Sequence, residues 1–138
     1  MPTVPLTRLY VLRLMYLVLF VLVPLMTAAR MIYSGQSLGA DDGWGFAACL
    51  LAAMSLLCGL GLRYPLKMLP LLFFEVVWKV IWAARVAAPL WISGKIDDAL
   101  TQNSIAIGSA VVVLAVLPWR YVVAQYVRAP GDAWKSHR

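Results

Sequence analysis

The chain has 138 residues, 63% of them apolar and only 13% charged, with twelve basic side chains against six acidic ones and a formal charge of +6. Apolar content this far above the half or so of a water-soluble domain leaves too few charged groups to coat a soluble surface. The basic residues are spread along the chain rather than gathered into a patch with interleaved aromatics, which argues against nucleic acid as a partner and for the loop asymmetry of a membrane protein.

A helix needs about 20 mainly apolar residues to cross a hydrocarbon core. Four windows qualify in chain order: Leu9 to Ala29, Trp44 to Leu62, Leu69 to Ser93 and Ser104 to Val127. The expected fold class is therefore all-α, a polytopic membrane protein forming a four-transmembrane-helix bundle, with residues 1–138 as a single membrane domain. In the first window, Pro24 followed by Thr27, Ala28 and Ala29 has some look of a signal-peptide cleavage site. The apolar stretch is longer than a usual signal core and Arg13 lies close to it, so a retained first span is expected.

The connections alternate in charge. The start (Arg8), the segment RYPLKM (Arg63, Lys67) and the tail RAPGDAWKSHR (Arg128, Lys135, Arg138 against Asp132) are net basic. The segments SGQSLGADDG (Asp41, Asp42) and GKIDDALTQN (Asp97, Asp98 against Lys95) are net acidic. Basic loops stay in the cytoplasm, so both termini are expected there. Tyr10, Tyr33, Trp44, Tyr64, Trp91 and Tyr126 fall near the ends of the windows, where an interfacial aromatic belt would place them.

The second window carries Ala48, Ala52, Ser55 and Gly59 at spacings of four, three and four, a small-residue stripe that lets another backbone approach. Ser104 and Gly108 begin a shorter stripe of the same kind in the fourth. Cys49 and Cys58 are nine residues apart, which puts them on opposite helix faces and about 13 Å apart along the axis, so they cannot bridge. There is no C-x-x-C and no Cys/His cluster, and the single histidine, His137, is next to last. Neither a metal, a haem nor any other cofactor is expected.

The third window holds FFEVVWKVIWAAR (73–85), three charges inside an apolar run. At about 100° per residue, Glu75, Trp78, Lys79, Trp82 and Arg85 share one arc of roughly 120°, extended by Pro89. Val77, Val80, Ile81, Ala84 and Ala88 fall opposite. The charged arc should face the bundle interior, because an ionisable group in hydrocarbon costs several kcal/mol unless paired or hydrated. A rise of 1.5 Å per residue places both Glu75 and Arg120 about 9 Å from the cytoplasmic side, with Lys79 one turn deeper and Arg13 shallower. The candidate site is thus an inner-half cluster of Glu75, Lys79, Arg120 and Arg13 flanked by Trp78 and Trp82, with Arg30 and Arg85 as outer-half charges. One carboxylate then faces two or three cations. Either the arginines reach headgroups while Glu75 and Lys79 neutralise each other, or an anion such as a lipid phosphate completes the cluster. Pro118 frees a backbone carbonyl one turn earlier, near Leu114, and so marks a kink in the fourth helix.

The segments RYPLKMLPLLFFEVVWKVIW (63–82) and PWRYVVAQYVRAPGDAW (118–134), set in four short spans, resemble a group of small uncharacterised bacterial inner-membrane proteins. The resemblance covers roughly the second half and implies a location in the inner (cytoplasmic) membrane, not an activity. Three functional classes follow, in order. The first is an accessory or scaffold membrane subunit, contacting membrane lipids, anionic ones included, and a protein partner or a second copy of the chain. The second is a small transporter with Glu75 as a proton or cation site. Small multidrug resistance transporters are similar in size but carry their membrane glutamate on the first helix, without a lysine one turn away. The third is a protein that binds or acts on an anionic lipid. A single buried carboxylate and no nucleophile motif leave little for acid/base catalysis.

Overall fold

The computed structural model describes residues 3–35 and 43–132, and every regular element among them is helical. The order is α1 (Leu6–Ser34), α2 (Trp44–Arg63), α3 (Leu69–Trp82), a π-helical turn (Ala83–Ala87), α4 (Ala88–Ile92), α5 (Asp98–Val116), α6 (Trp119–Val122) and a second π-helical segment (Val123–Arg128). The acidic residues Asp41 and Asp42, and the tail residues Lys135, His137 and Arg138, lie outside the described residues.

The first two expected windows become single helices. α1 passes through Pro24 without a break, and Gly35, at φ 63°, ends it in the left-handed conformation that a glycine adopts without steric cost. α2 runs antiparallel to α1: Ser55 Oγ donates to the Leu19 carbonyl at 2.8 Å, while Gly61, further along α2, sits against Tyr16, earlier on α1. From the small-residue stripe, Ala48 and Ser55 are buried and Gly59 lies against the Phe20 ring, whereas Ala52 is exposed. Among the described residues nothing lies within 4 Å of where a Cβ at Gly108 would stand, so the shorter stripe on α5 does not close-pack at that position. Cys49 is exposed and Cys58 buried, on opposite faces of α2.

The second half departs from expectation at two prolines. Pro89 has no N–H and its ring crowds the carbonyl four residues back. The helix widens just upstream, and the Ala88 N–H reaches the Ala83 carbonyl five residues back. The wide turn adds a residue to the repeat, so Ala87 takes the inward position at 2% exposure while Val86 is 39% exposed. The fourth helix starts earlier than Ser104, at Asp98, because the Asp97 side chain caps it by accepting the Leu100 N–H at 2.6 Å. It then breaks at Pro118, where the axis turns by 76°.

Four unbroken spans are therefore not what forms. Two helices are long and apolar enough to cross a membrane, Leu6–Tyr33 and Gly45–Arg63, or three if Leu100–Val116 and Trp119–Arg128 make one bent span. The helical path over 69–92 falls short of that description because it carries Glu75, Lys79 and Arg85 and is interrupted by the π turn.

α1 packs on α2 and α5, and α3 packs on α2 and α5. The core gathers at one end: Leu12, Tyr16 and Leu19 of α1, Cys58 of α2, Leu69, Leu72 and Val76 of α3, Val113 of α5, and Leu117 and Val122 around the Pro118 break. The outer half of α1, by contrast, is largely exposed. Tyr16 is the keystone of the packed end, fully buried with its hydroxyl donating to the Pro65 carbonyl at 3.0 Å. Its ring fills the space a side chain at position 61 would need, since a Cβ there would lie 2.4 Å from it. Gly61→Ala is expected to lower stability by about 1–3 kcal/mol through overpacking, read as a lower thermal midpoint in detergent. Gly108→Ala, where a Cβ meets nothing within 4 Å, is the control and should leave the midpoint unchanged or slightly higher.

Candidate functional site

Glu75 and Lys79 stand one turn apart on α3, in the carboxylate-first order that an i,i+4 pair favours. Both are buried, at 3% and 5% exposure. Lys79 Nζ lies 2.5 Å from Glu75 Oε1 and donates to Ser109 Oγ on α5 at 2.6 Å. The Trp78 indole N–H donates to Glu75 Oε2 at 2.9 Å, and the Lys79 ammonium sits 5.6 Å from the centroid of the Trp78 ring. Each carboxylate oxygen thus has its own donor. The ammonium, with three protons to place, is shared between the carboxylate, a hydroxyl on the neighbouring helix and an aromatic ring.

The inward arc read from helical periodicity holds through Glu75, Trp78, Lys79 and Trp82: the two charged residues are buried and the two indoles half-buried. Val77, Val80 and Ile81 opposite are exposed. The arc fails at Arg85, which the π turn rotates to an exposed position, and at Pro89, also exposed. Arg120 does not join Glu75. It is exposed on α6, beyond the 76° bend, where a straight fourth helix would have kept it in register with the cluster. Arg13 is half-buried, with its guanidinium 5.7 Å from the Tyr10 ring and its Nε buried without a hydrogen-bond partner among the described residues. Arg30, near the end of α1, donates to Asn103 Oδ1 at 3.4 Å near the start of α5. The buried assembly is therefore neutral, one carboxylate with one ammonium, rather than a carboxylate outnumbered by cations.

Arg8, which in the sequence counted only toward topology, completes the other polar junction. Arg8 Nη1 donates to the Leu117 carbonyl at 3.1 Å, joining the start of α1 to the bend. Around Pro118, whose φ of −76° and ψ of 78° make an inverse γ-turn, the Trp119 N–H returns to the same Leu117 carbonyl at 2.9 Å. The carbonyl that Pro118 leaves free, that of Leu114, accepts the Trp119 indole N–H at 2.8 Å. Pro118 in an apolar run signals a freed carbonyl; that a side chain 109 residues away would serve the bend leaves no local trace in the sequence.

Among the described residues, no three His, Cys, Asp or Glu side chains converge as metal ligands would. A surface groove of about 410 Å³ between α1 and α5 is lined by Arg8, Val11, Val111, Val112, Ala115 and Val116, and another of about 360 Å³ by Lys67, Met68, Pro70, Leu71 and Phe74. Neither is lined by Glu75 or Lys79. The chain matches no protein-family model, no curated protein and no solved structure.

Removing one partner of a buried pair strands the other charge, so Lys79→Met is expected to cost about 3–5 kcal/mol and Glu75→Gln/Lys79→Met to recover most of it. Thermal unfolding of the three proteins in detergent measures this. In the same assay Arg120→Gln, which touches neither partner, should match the wild type.

Proposed function

We propose that this chain is an accessory or scaffold subunit of the bacterial inner membrane, a bundle crossing the bilayer with both termini in the cytoplasm. On this reading α1, α2, the path over 69–92 and α5 make the four crossings, and α3 carries its polar face inward. The basic residues Arg8, Arg63 and Lys67 set the cytoplasmic end, where the Tyr64 ring lies within 5.6 Å of both Arg63 and Lys67.

One observation carries the choice of function. Both oxygens of Glu75 are engaged within the protein, and its lysine is spent in turn on α5 through Ser109. A carboxylate that carries protons or cations must exchange its partners with a water-filled path, whereas this one is closed on itself and ties two helices together. A polar lock of this kind holds register in a medium where apolar packing alone gives helices little reason to prefer one partner over another.

Flux in proteoliposomes distinguishes this role from the transporter reading. Vesicles carrying the wild-type protein should dissipate an imposed proton gradient no faster than empty vesicles, and Glu75→Gln should change nothing. Gradient-driven uptake that disappears in Glu75→Gln would replace the scaffold reading with a small proton- or cation-coupled transporter.

A further inference from the structure

The stretch Trp119–Arg128 was expected to be the cytoplasmic end of a fourth crossing. Two independent contacts place it differently. The Lys79–Ser109 hydrogen bond puts those two residues at one level of the bundle. Counting down from that level at 1.5 Å per residue, Leu117 on α5 is about 12 Å lower and Phe73 on α3 about 9 Å lower, so the bend and Phe73 lie at nearly the same height. The far end of the stretch is fixed there too, because the Tyr126 ring packs edge-on against Phe73, with centroids 5.3 Å apart and planes at 81°. A straight continuation of α5 would have carried Tyr126 about 26 Å below the same level. Trp119–Arg128 therefore crosses the end of the bundle from α5 to α3 instead of descending, in agreement with the 76° turn.

Its side chains divide to match. Val122 is buried in the core, and Tyr121, Ala124 and Gln125 are half-buried. Trp119, Val123, Tyr126 and Val127 are exposed apolar or aromatic groups, interspersed with exposed Arg120 and Arg128. No carboxylate lies within the stretch. The Trp119 indole N–H is already spent on the Leu114 carbonyl, which leaves the ring outward as an apolar plate. Phe73 is only four residues into α3, so the stretch sits about 6 Å inside the start of that helix, the depth at which interfacial helices rest at the boundary of headgroups and acyl chains.

We infer that Trp119–Arg128 is an in-plane interfacial segment that seats on the anionic lipid surface of the cytoplasmic leaflet, its aromatic and valine side chains in the acyl boundary and Arg120 and Arg128 on lipid phosphates. The inference rests on the bilayer-crossing reading proposed above. Its chemistry is that of a short amphipathic anchor, for which a basic residue near an anionic surface adds a modest salt-sensitive attraction. Arg8, holding the Leu117 carbonyl, pins the near end of the anchor to α1.

The test places spin labels at Val112, Val123 and Val127, all exposed, in a full-length Cys49→Ala/Cys58→Ala background. Depth is read by power saturation in vesicles of phosphatidylcholine alone and of phosphatidylcholine mixed with phosphatidylglycerol. The label at Val112 should sit deep in hydrocarbon, and those at Val123 and Val127 should share one shallower depth, about 8 Å nearer the surface. A label at Val127 lying about 6 Å further out than Val123, toward water, would overturn the in-plane placement. A water-exposed label at Val112 would instead sink the bilayer-crossing reading itself. Phosphatidylglycerol should draw the two outer labels deeper in the wild type and have no such effect in Arg120→Gln/Arg128→Gln. An equal response in both proteins would overturn the role of the arginines.

Discussion

A lysine ammonium inside an apolar helix bundle has to find its partners within the protein, and the placement of the second half of this chain follows from how Lys79 does so. Its charge is met by Glu75 one turn back, and its remaining donor capacity reaches Ser109 on α5. The first contact is local and would form in any helix with this sequence. The second is tertiary, and it sets the height of α5 against α3. A buried pair of this kind is weak evidence of net stabilisation, since desolvation offsets much of the attraction, but any packing that separates the partners is heavily penalised. On the scaffold reading, specificity of register is the property it serves.

The same demand for satisfied polar groups governs the Pro118 bend. A proline removes one backbone donor and leaves a carbonyl open, which in hydrocarbon costs several kcal/mol unless something else donates. Here the Trp119 indole supplies the Leu114 carbonyl, and Arg8 shares the Leu117 carbonyl with the γ-turn. The bend is therefore closed by side chains drawn from α1 and from the bend itself, and the core residues Leu117 and Val122 pack on either side of it. Tyr16 performs the matching task for the connection between α2 and α3 by donating to Pro65. These junctions all lie at the packed end of the bundle, which explains why the core is dense there while the far half of α1 shows most of its surface.

That exposed surface is consistent with a bilayer as the surrounding medium. Only 17% of the most apolar window of α1 and 33% of that of α2 is buried inside the protein. In water, apolar faces of this extent would drive association, whereas in lipid they need no protein partner. The surfaces divide accordingly: Glu75 and Lys79 pair inside, Arg8, Arg63, Tyr64 and Lys67 lie at the packed end, and most of the aliphatic groups of α1 face outward.

Composition and helical periodicity by themselves determined the all-helical class, the places of the first two helices though not the full length of α1, which runs from Leu6 to Ser34 beyond its apolar window, the inward face of α3 as far as Trp82, and the pairing of charge on that face within one turn, because each of these is a property of neighbours along the chain. The fate of the fourth window was decided by tertiary structure. Whether a proline yields a mild kink or a 76° turn depends on which groups are at hand to take the freed carbonyls, and one of them, Arg8, is 109 residues away. Arg120 left the cluster for that reason, and Arg85 left it because the π turn ahead of Pro89 shifted the helical repeat by one residue. Sequence spacing assumes an unbroken repeat of 3.6 residues, and its reach ends where a proline changes that repeat.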